Sequence, residues 1–207
     1  MSDLLKTKET GMRTRYQILT IAASLALIAC NESRRGNDSN LNEERNEAAA
    51  ESNTDKFEGQ KQRDADFVYD VVASSYSEIK LAEIANQKSR TPAVKKVAQE
   101  LVTDHTESLN ELKTLAQAKA ISLPVEESDA SRRKLENIAE ESREEFDEKW
   151  CREMMELHEK DIDAFENRMK NTEDADLKAF ISKTLPVLKK HHESLEACEN
   201  ALKGKNG

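Results

Sequence analysis

From Asp64 to Lys203 the chain holds no glycine, and its large apolar residues recur at steps of three and four. A three–four step puts apolar side chains on one stripe of an α-helix, whereas a strand needs strict alternation, and without glycine there are few places for a tight left-handed turn. The segment therefore predicts helices and nothing else. A first long helix over 65–88 carries Phe67, Val71, Ser74, Glu78, Leu81 and Ala85 on one stripe. Thr91-Pro92 is an N-cap followed by a first-turn proline, and it opens a second long helix striped by Val94, Val97, Leu101, His105, Leu109 and Leu112. Residues 120–143 form the longest connection, with a loop over Pro124–Ala130 and a short helix over Ser131–Ser142 expected to cover one end of the assembly. A third long helix over 144–170 carries Phe146, Trp150, Met154, His158, Ile162 and Phe165. The Asn171–Asp174 turn, where Thr172 or Asp174 can serve as cap, leads to a fourth over 175–203, with Leu177, Ile181, Leu188, His191, Leu195 and Cys198. The expected fold is all-α: an antiparallel four-helix bundle over 64–203 with a short extra helix between its second and third long helices, followed by a 204–207 tail.

The first thirty residues read as a leader. Arg13 and Arg15 precede an uncharged apolar run, Tyr16 to Ala29, which is shorter than the roughly 20 residues of a spanning helix and suits a signal-peptide core. The run ends Leu27-Ile28-Ala29-Cys30, which resembles a bacterial lipobox, so Cys30 is the expected lipidation site. Acylation there would anchor the chain to a membrane. Residues 31–63 are rich in Asn, Glu, Ser, Arg, Gln and Asp, with Leu41 and Phe57 as the large apolar exceptions. That composition predicts a disordered tether, with Ala48–Ala50 favouring transient helix.

The leader holds Lys6, Lys8, Arg13 and Arg15 against Asp3 and Glu9, so without it the net charge of −9 becomes −11. Such an acidic surface repels phosphate backbones, which excludes nucleic acid as a partner and leaves lipid as the expected route to the membrane. Protein partners are not specified by these residues.

The four histidines of the chain fall on three of the long helices, as His105, His158 and the pair His191/His192, and the remaining long helix carries Glu78 on its apolar stripe. A carboxylate on a buried stripe is costly unless it is paired or bound to a cation. Residues level across an antiparallel hairpin are symmetric about its turn. Glu78 and His105 are symmetric about Thr91-Pro92, and His158 and His191 about the end of the Asn171–Asp174 turn. Side chains from facing helices at one height are how bundles build metal sites. Glu78, His105, His158 and His191, with His192 as the alternative, are therefore candidate ligands for one zinc, copper or iron ion. Asp104 beside His105 is placed to orient its imidazole. Pro186 is expected to kink the last helix and to aim one histidine of the pair inward. The competing reading is a polar His–Glu network that closes a helical core without metal.

Cys151 and Cys198 share the symmetry of His158 and His191 and lie seven residues from them, so they should face one another nearly two turns away. Outside the cytoplasm such a pair forms a disulfide or stays as two buried thiols. Di-iron carboxylate sites need Glu-x-x-His on two helices. Here Val102, Met155 and Leu188 stand three residues before the histidines. A di-iron oxidase is thereby excluded, and no serine- or cysteine-centred motif supports nucleophilic catalysis, so the reading leans away from an enzyme.

The ordered set Asp66-Phe67, Ser77-Glu78-Ile79-Lys80-Leu81-Ala82, Val94-Lys95-Lys96-Val97-Ala98, Thr103-Asp104-His105, Phe146-Asp147, His158 and Leu185-Pro186-x-Leu188-x-x-His191 resembles the bacterial family called domain of unknown function 4142 over about 64–200. The resemblance implies a ferritin-like four-helix bundle in an exported, often outer-membrane, protein. It brings no activity with it. Asn31 after Cys30 lacks the aspartate that holds many lipoproteins in the inner membrane, so the expectation is an outer-membrane lipoprotein facing the periplasm, concerned with metal handling or stress protection.

Overall fold

The computed structural model describes residues 25–204, and of 25–37, 39 and 144 the backbone only. Residues 1–24 of the expected leader lie outside the described residues, and Cys30 is described as helical backbone. The chain divides into two compact units at Asp38/Ser39. In the first, the described backbone is helical; the second carries everything that follows. Six helices make up the chain among the described residues: α1 Leu25–Lys56, α2 Gly59–Lys88, α3 Pro92–Ala118, α4 Asp129–Glu140, α5 Arg143–Asn171 and α6 Ala175–Lys203. The protein is all-α, and no helix among the described residues is long and apolar enough to cross a membrane.

The helix ends follow local chemistry. Pro92 takes the first position of α3, where its missing N–H is not needed. Ser128 caps α4 through Ser131 N, Ser142 caps α5 through Glu145 N, and Asp174 caps α6 through Leu177 N at 2.9 Å. Of the two candidate caps for α6, Asp174 performs it, while Thr172 Oγ1 accepts from Asp174 N. α6 runs through Pro186 without a break in the helix.

α2 packs on α3 and on α5, and α6 packs on α5 and on α3, which closes a ring of four long helices. The core falls into two apolar clusters at different heights. One gathers Leu81, Leu101, Phe146, Trp150, Met154 and Leu195. The other gathers Phe67, Val72, Leu112, Phe165, Ile181 and Leu188. Along every long helix the polar residue falls between the two clusters, which come in one order on α2 and α6 and in the opposite order on α3 and α5: 72, 78, 81 on α2; 101, 105, 109 on α3; 154, 158, 165 on α5; 188, 191, 195 on α6. A polar layer of Glu78, His105, His158 and His191 thus separates two apolar layers that each drive assembly by burial. The short helix α4 packs along α2 and α5 and adds Leu135 and Ile138 to the first cluster.

The structure corrects the tether. From Ser39 the segment expected to be coil through residue 63 is helical apart from the break before Gly59, whose φ of +58° makes the turn into α2. Its attachment is polar. Asn53 donates to Ser122 O and accepts from Ser122 N, both at 2.8 Å. Asn46 does the same with Glu126 O and Val125 N, at 3.3 and 2.9 Å. Tyr69 Oη donates to Asn46 O at 2.9 Å. Two buried asparagines, two turns apart on one face of α1, satisfy the backbone of the loop after α3 as a neighbouring strand would. A composition argument counts apolar area and is blind to this.

Candidate metal centre

Each of the four long helices brings one residue into the polar layer. Glu78, His105, His158 and His191 are all buried, at 1, 5, 0 and 2 % exposure. The three imidazoles form a near-equilateral triangle, with ring centroids 5.3, 5.4 and 5.5 Å apart. Taking one ring nitrogen from each, the three atoms lie within 4.8 Å of one another. Nε2 of His105 is 3.3 Å from Nε2 of His158. Two nitrogens bound at tetrahedral angles to a zinc ion, at about 2.05 Å each, stand about 3.3 Å apart.

The outward nitrogen of each ring faces an acceptor. His158 Nδ1 lies 2.9 Å from Met154 O, and a carbonyl only accepts, so this nitrogen carries the proton and Nε2 presents its lone pair. His105 Nδ1 lies 3.1 Å from Glu78 Oε2. His191 Nε2 lies 2.8 Å from Asp104 Oδ2, which leaves His191 Nδ1 buried and without a partner. His158 and His191 are thus held from behind by a carbonyl and a carboxylate, with the other nitrogen turned inward, as metal-binding histidines are, while Glu78 Oε2 stands close to His105 Nδ1 without a hydrogen bond to it.

Electrostatics point the same way. Burial, with His158 and His191 close by, holds His105 well below the usual histidine range. Burial, then the neighbouring His191, pulls His158 down to about 3. Burial also lowers His191, against the opposing pull of Asp104. All three rings are neutral at pH 7, the form that coordinates metal. Burial, then the adjacent Asp161, pushes Glu78 well above the ordinary carboxylate range. Asp161 itself is raised to about 7 by burial, partly offset by hydrogen bonds from Ser74 and Glu78.

Two placements differ from expectation. Glu78 does not join the cluster of ligand atoms; it stands behind the rings, 3.1 Å from His105 Nδ1 and 3.5 Å from His158 Nδ1. A helical stripe tells that a side chain points inward but not on which side of a ring it arrives. Asp104 orients His191, not the His105 that follows it, because successive residues on a helix project about 100° apart. His192 points outward to Glu159 at 3.2 Å, so His191 is the inward member of the pair. Asp161, one turn beyond His158, lies beside Glu78 and 3.4 Å from Ser74 Oγ.

Cys151 and Cys198 face each other across α5 and α6, both buried, with Cys151 Sγ donating to Cys198 Sγ at 3.4 Å.

A family model described as Domain of unknown function (DUF4142) matches residues 46–198. The chain belongs to that family. The match begins at Asn46, the first of the two asparagines that clasp α1 to the loop after α3, so the region typical of DUF4142 takes in the end of α1 as well as the ring of long helices. No curated protein and no solved structure matches the chain.

Proposed function

We propose that this DUF4142 protein is an envelope lipoprotein whose ferritin-like helical bundle binds one transition-metal ion on His105, His158 and His191, with Glu78, Asp104 and the Met154 carbonyl orienting the rings. The observation that carries the reading is the coincidence of three buried neutral imidazoles with converging nitrogens and, behind each ring, an acceptor. Three histidines and no carboxylate in contact with the ion suit zinc with a fourth position left to water, and imidazole also suits copper and iron. Cys30 in its lipobox-like sequence supports attachment to a membrane, and Asn31 supports the outer one, with the bundle on the periplasmic side. In that setting the role is metal handling or protection against metal stress.

Elemental analysis of the full chain, purified without a histidine tag, tests this. About one equivalent of zinc, copper or iron in the unsubstituted protein, lost in His105→Ala and in His191→Ala, is the expected result.

A second reading has a specific observation behind it. With Glu78 neutral, His105 Nε2 can donate to His158 Nε2 across 3.3 Å and close the layer as a polar network without an ion. The protein is then a structural or interaction module. It predicts no bound metal and no thermal shift on adding any.

A further inference from the structure

Between α3 and α6 a cavity of about 110 Å³ reaches inward to the polar layer. Its lining includes Glu107, Glu111 and Asp104 from α3, Lys183 and His191 from α6, and Asp161 from α5. Residues 104, 107 and 111 advance by three and four, so they follow one face of α3. The two helices run antiparallel here, because Lys183 meets Glu107 and Glu111 while His191 meets Asp104. Eight residues separate Lys183 from His191, about 12 Å along the axis. The cavity therefore has an outer end that is exposed and carboxylate-lined, and an inner end where His191 Nδ1 is buried and has no partner.

At the outer end the Lys183 ammonium sits 3.3 Å from Glu107 Oε1 and 2.7 Å from Glu111 Oε2. It occupies the position of a cation shared by two carboxylates on adjacent turns. All three side chains are solvent-exposed, so these contacts are weak and readily exchanged. We infer that Glu107 and Glu111 form an outer capture site for a divalent cation, that Lys183 fills this site as a tethered counter-ion, and that the cavity past Asp104 is the route by which the cation reaches the three imidazoles. The inference rests on the metal reading above and adds a second site and a path to it. Hard oxygen ligands at the surface suit a hydrated ion, which exchanges water for imidazole only at depth. The aligned carboxylates raise the local cation concentration at the mouth, a kinetic effect that salt screens.

The experiment is stopped-flow uptake of cobalt(II) by the full chain, read from the visible bands that appear when cobalt takes imidazole ligands. At low ionic strength the Glu107→Gln/Glu111→Gln variant takes up cobalt about tenfold more slowly, and Lys183→Met several-fold faster. Both effects shrink at about 0.5 M salt. Release rates move with uptake rates, so the equilibrium affinity stays within about twofold. Val187→Phe, which narrows the cavity without changing charge, slows uptake at every salt concentration. Unchanged uptake in all three variants, with a normal final cobalt spectrum, overturns the route while leaving the histidine site standing. A cobalt spectrum absent from the unsubstituted protein removes the histidine site, and the route with it.

Discussion

Nε2 of His191 lies 2.8 Å from Oδ2 of Asp104, so the residue next to one histidine in the chain fixes the ring of another on a different helix. The contact settles which nitrogen of His191 is free: Nδ1, the one turned away from the carboxylate. Asp104→Asn keeps the size of the side chain but removes its charge, and the amide can then offer an N–H where His191 needs an acceptor. Metal affinity should fall about 10- to 100-fold with the fold intact, the usual loss when a ring-orienting partner is removed. Titration with a competing chelator measures it.

Asn53 tests why α1 belongs to the folded unit. It is buried, and both of its bonds to Ser122 are 2.8 Å. Asn53→Ala leaves a backbone N–H and C=O without partners, at a cost of about 1–3 kcal/mol. Denaturant unfolding should report that loss, and limited proteolysis should cut within 39–57 faster than in the unsubstituted protein. Equal cleavage rates would show that the asparagine clasp does not hold the helix.

These two residues also mark where reading the sequence stops. The long helices α2, α3, α5 and α6 follow from stripes and punctuation, Phe67 to Ala85, Thr91-Pro92 and the Asn171–Asp174 turn, but α2 begins at Gly59 rather than 65, and the caps Ser128 and Ser142 fall where a loop and the end of the short helix were expected. Glu78 and His105 are readable as level, and so are His158 and His191, because each stands on an apolar stripe and hairpin symmetry fixes height within a hairpin. Hairpin symmetry links α2 with α3 and α5 with α6, but says nothing of α3 with α6. The Asp104–His191 contact and the cavity above it arise across that unlinked pair. Glu78 was legible as inward but not as a residue behind the rings. The α1 segment was illegible because its attachment lies in asparagine hydrogen bonds to loop backbone rather than in apolar area.

Asp161 gives a pH signature. Its carboxyl titrates near 7 in the folded protein, mainly through burial, against an ordinary value of 3.8. A raised carboxyl favours the folded state below its unfolded value and loses that contribution as pH rises through the folded one. His158, lowered to about 3, acts in the opposite sense: its contribution is present above the unfolded value and is lost as pH falls. The difference in stability between Asp161→Asn and the unsubstituted protein isolates the first effect. With chelator present, it should move in favour of the variant as pH rises from about 4 to 7, by an amount on the order of 3 kcal/mol. A pH-independent difference from chemical denaturation would contradict the placement of Asp161.

Cys151 and Cys198 sit 47 residues apart in sequence with their sulfurs 3.4 Å apart. Mild oxidation with diamide should join them, abolish their thiol titre under denaturing conditions, and stabilise the protein by about 2–4 kcal/mol relative to the reduced form. Persistence of both thiols after oxidation of the unfolded chain and refolding would show that the α5–α6 packing resists the bond.

The most direct measurement is calorimetric titration of the metal-stripped full chain with zinc at pH 7.5, alongside His158→Gln. His158 is fully buried at one corner of the triangle, and glutamine fills similar space without an equivalent ligand. About one zinc per chain with a clear rise in unfolding temperature, absent in a His158→Gln variant that is still helical, is the predicted result. No heat of binding and no thermal shift in the unsubstituted protein would contradict the metal centre and leave the three imidazoles as a polar layer of the core.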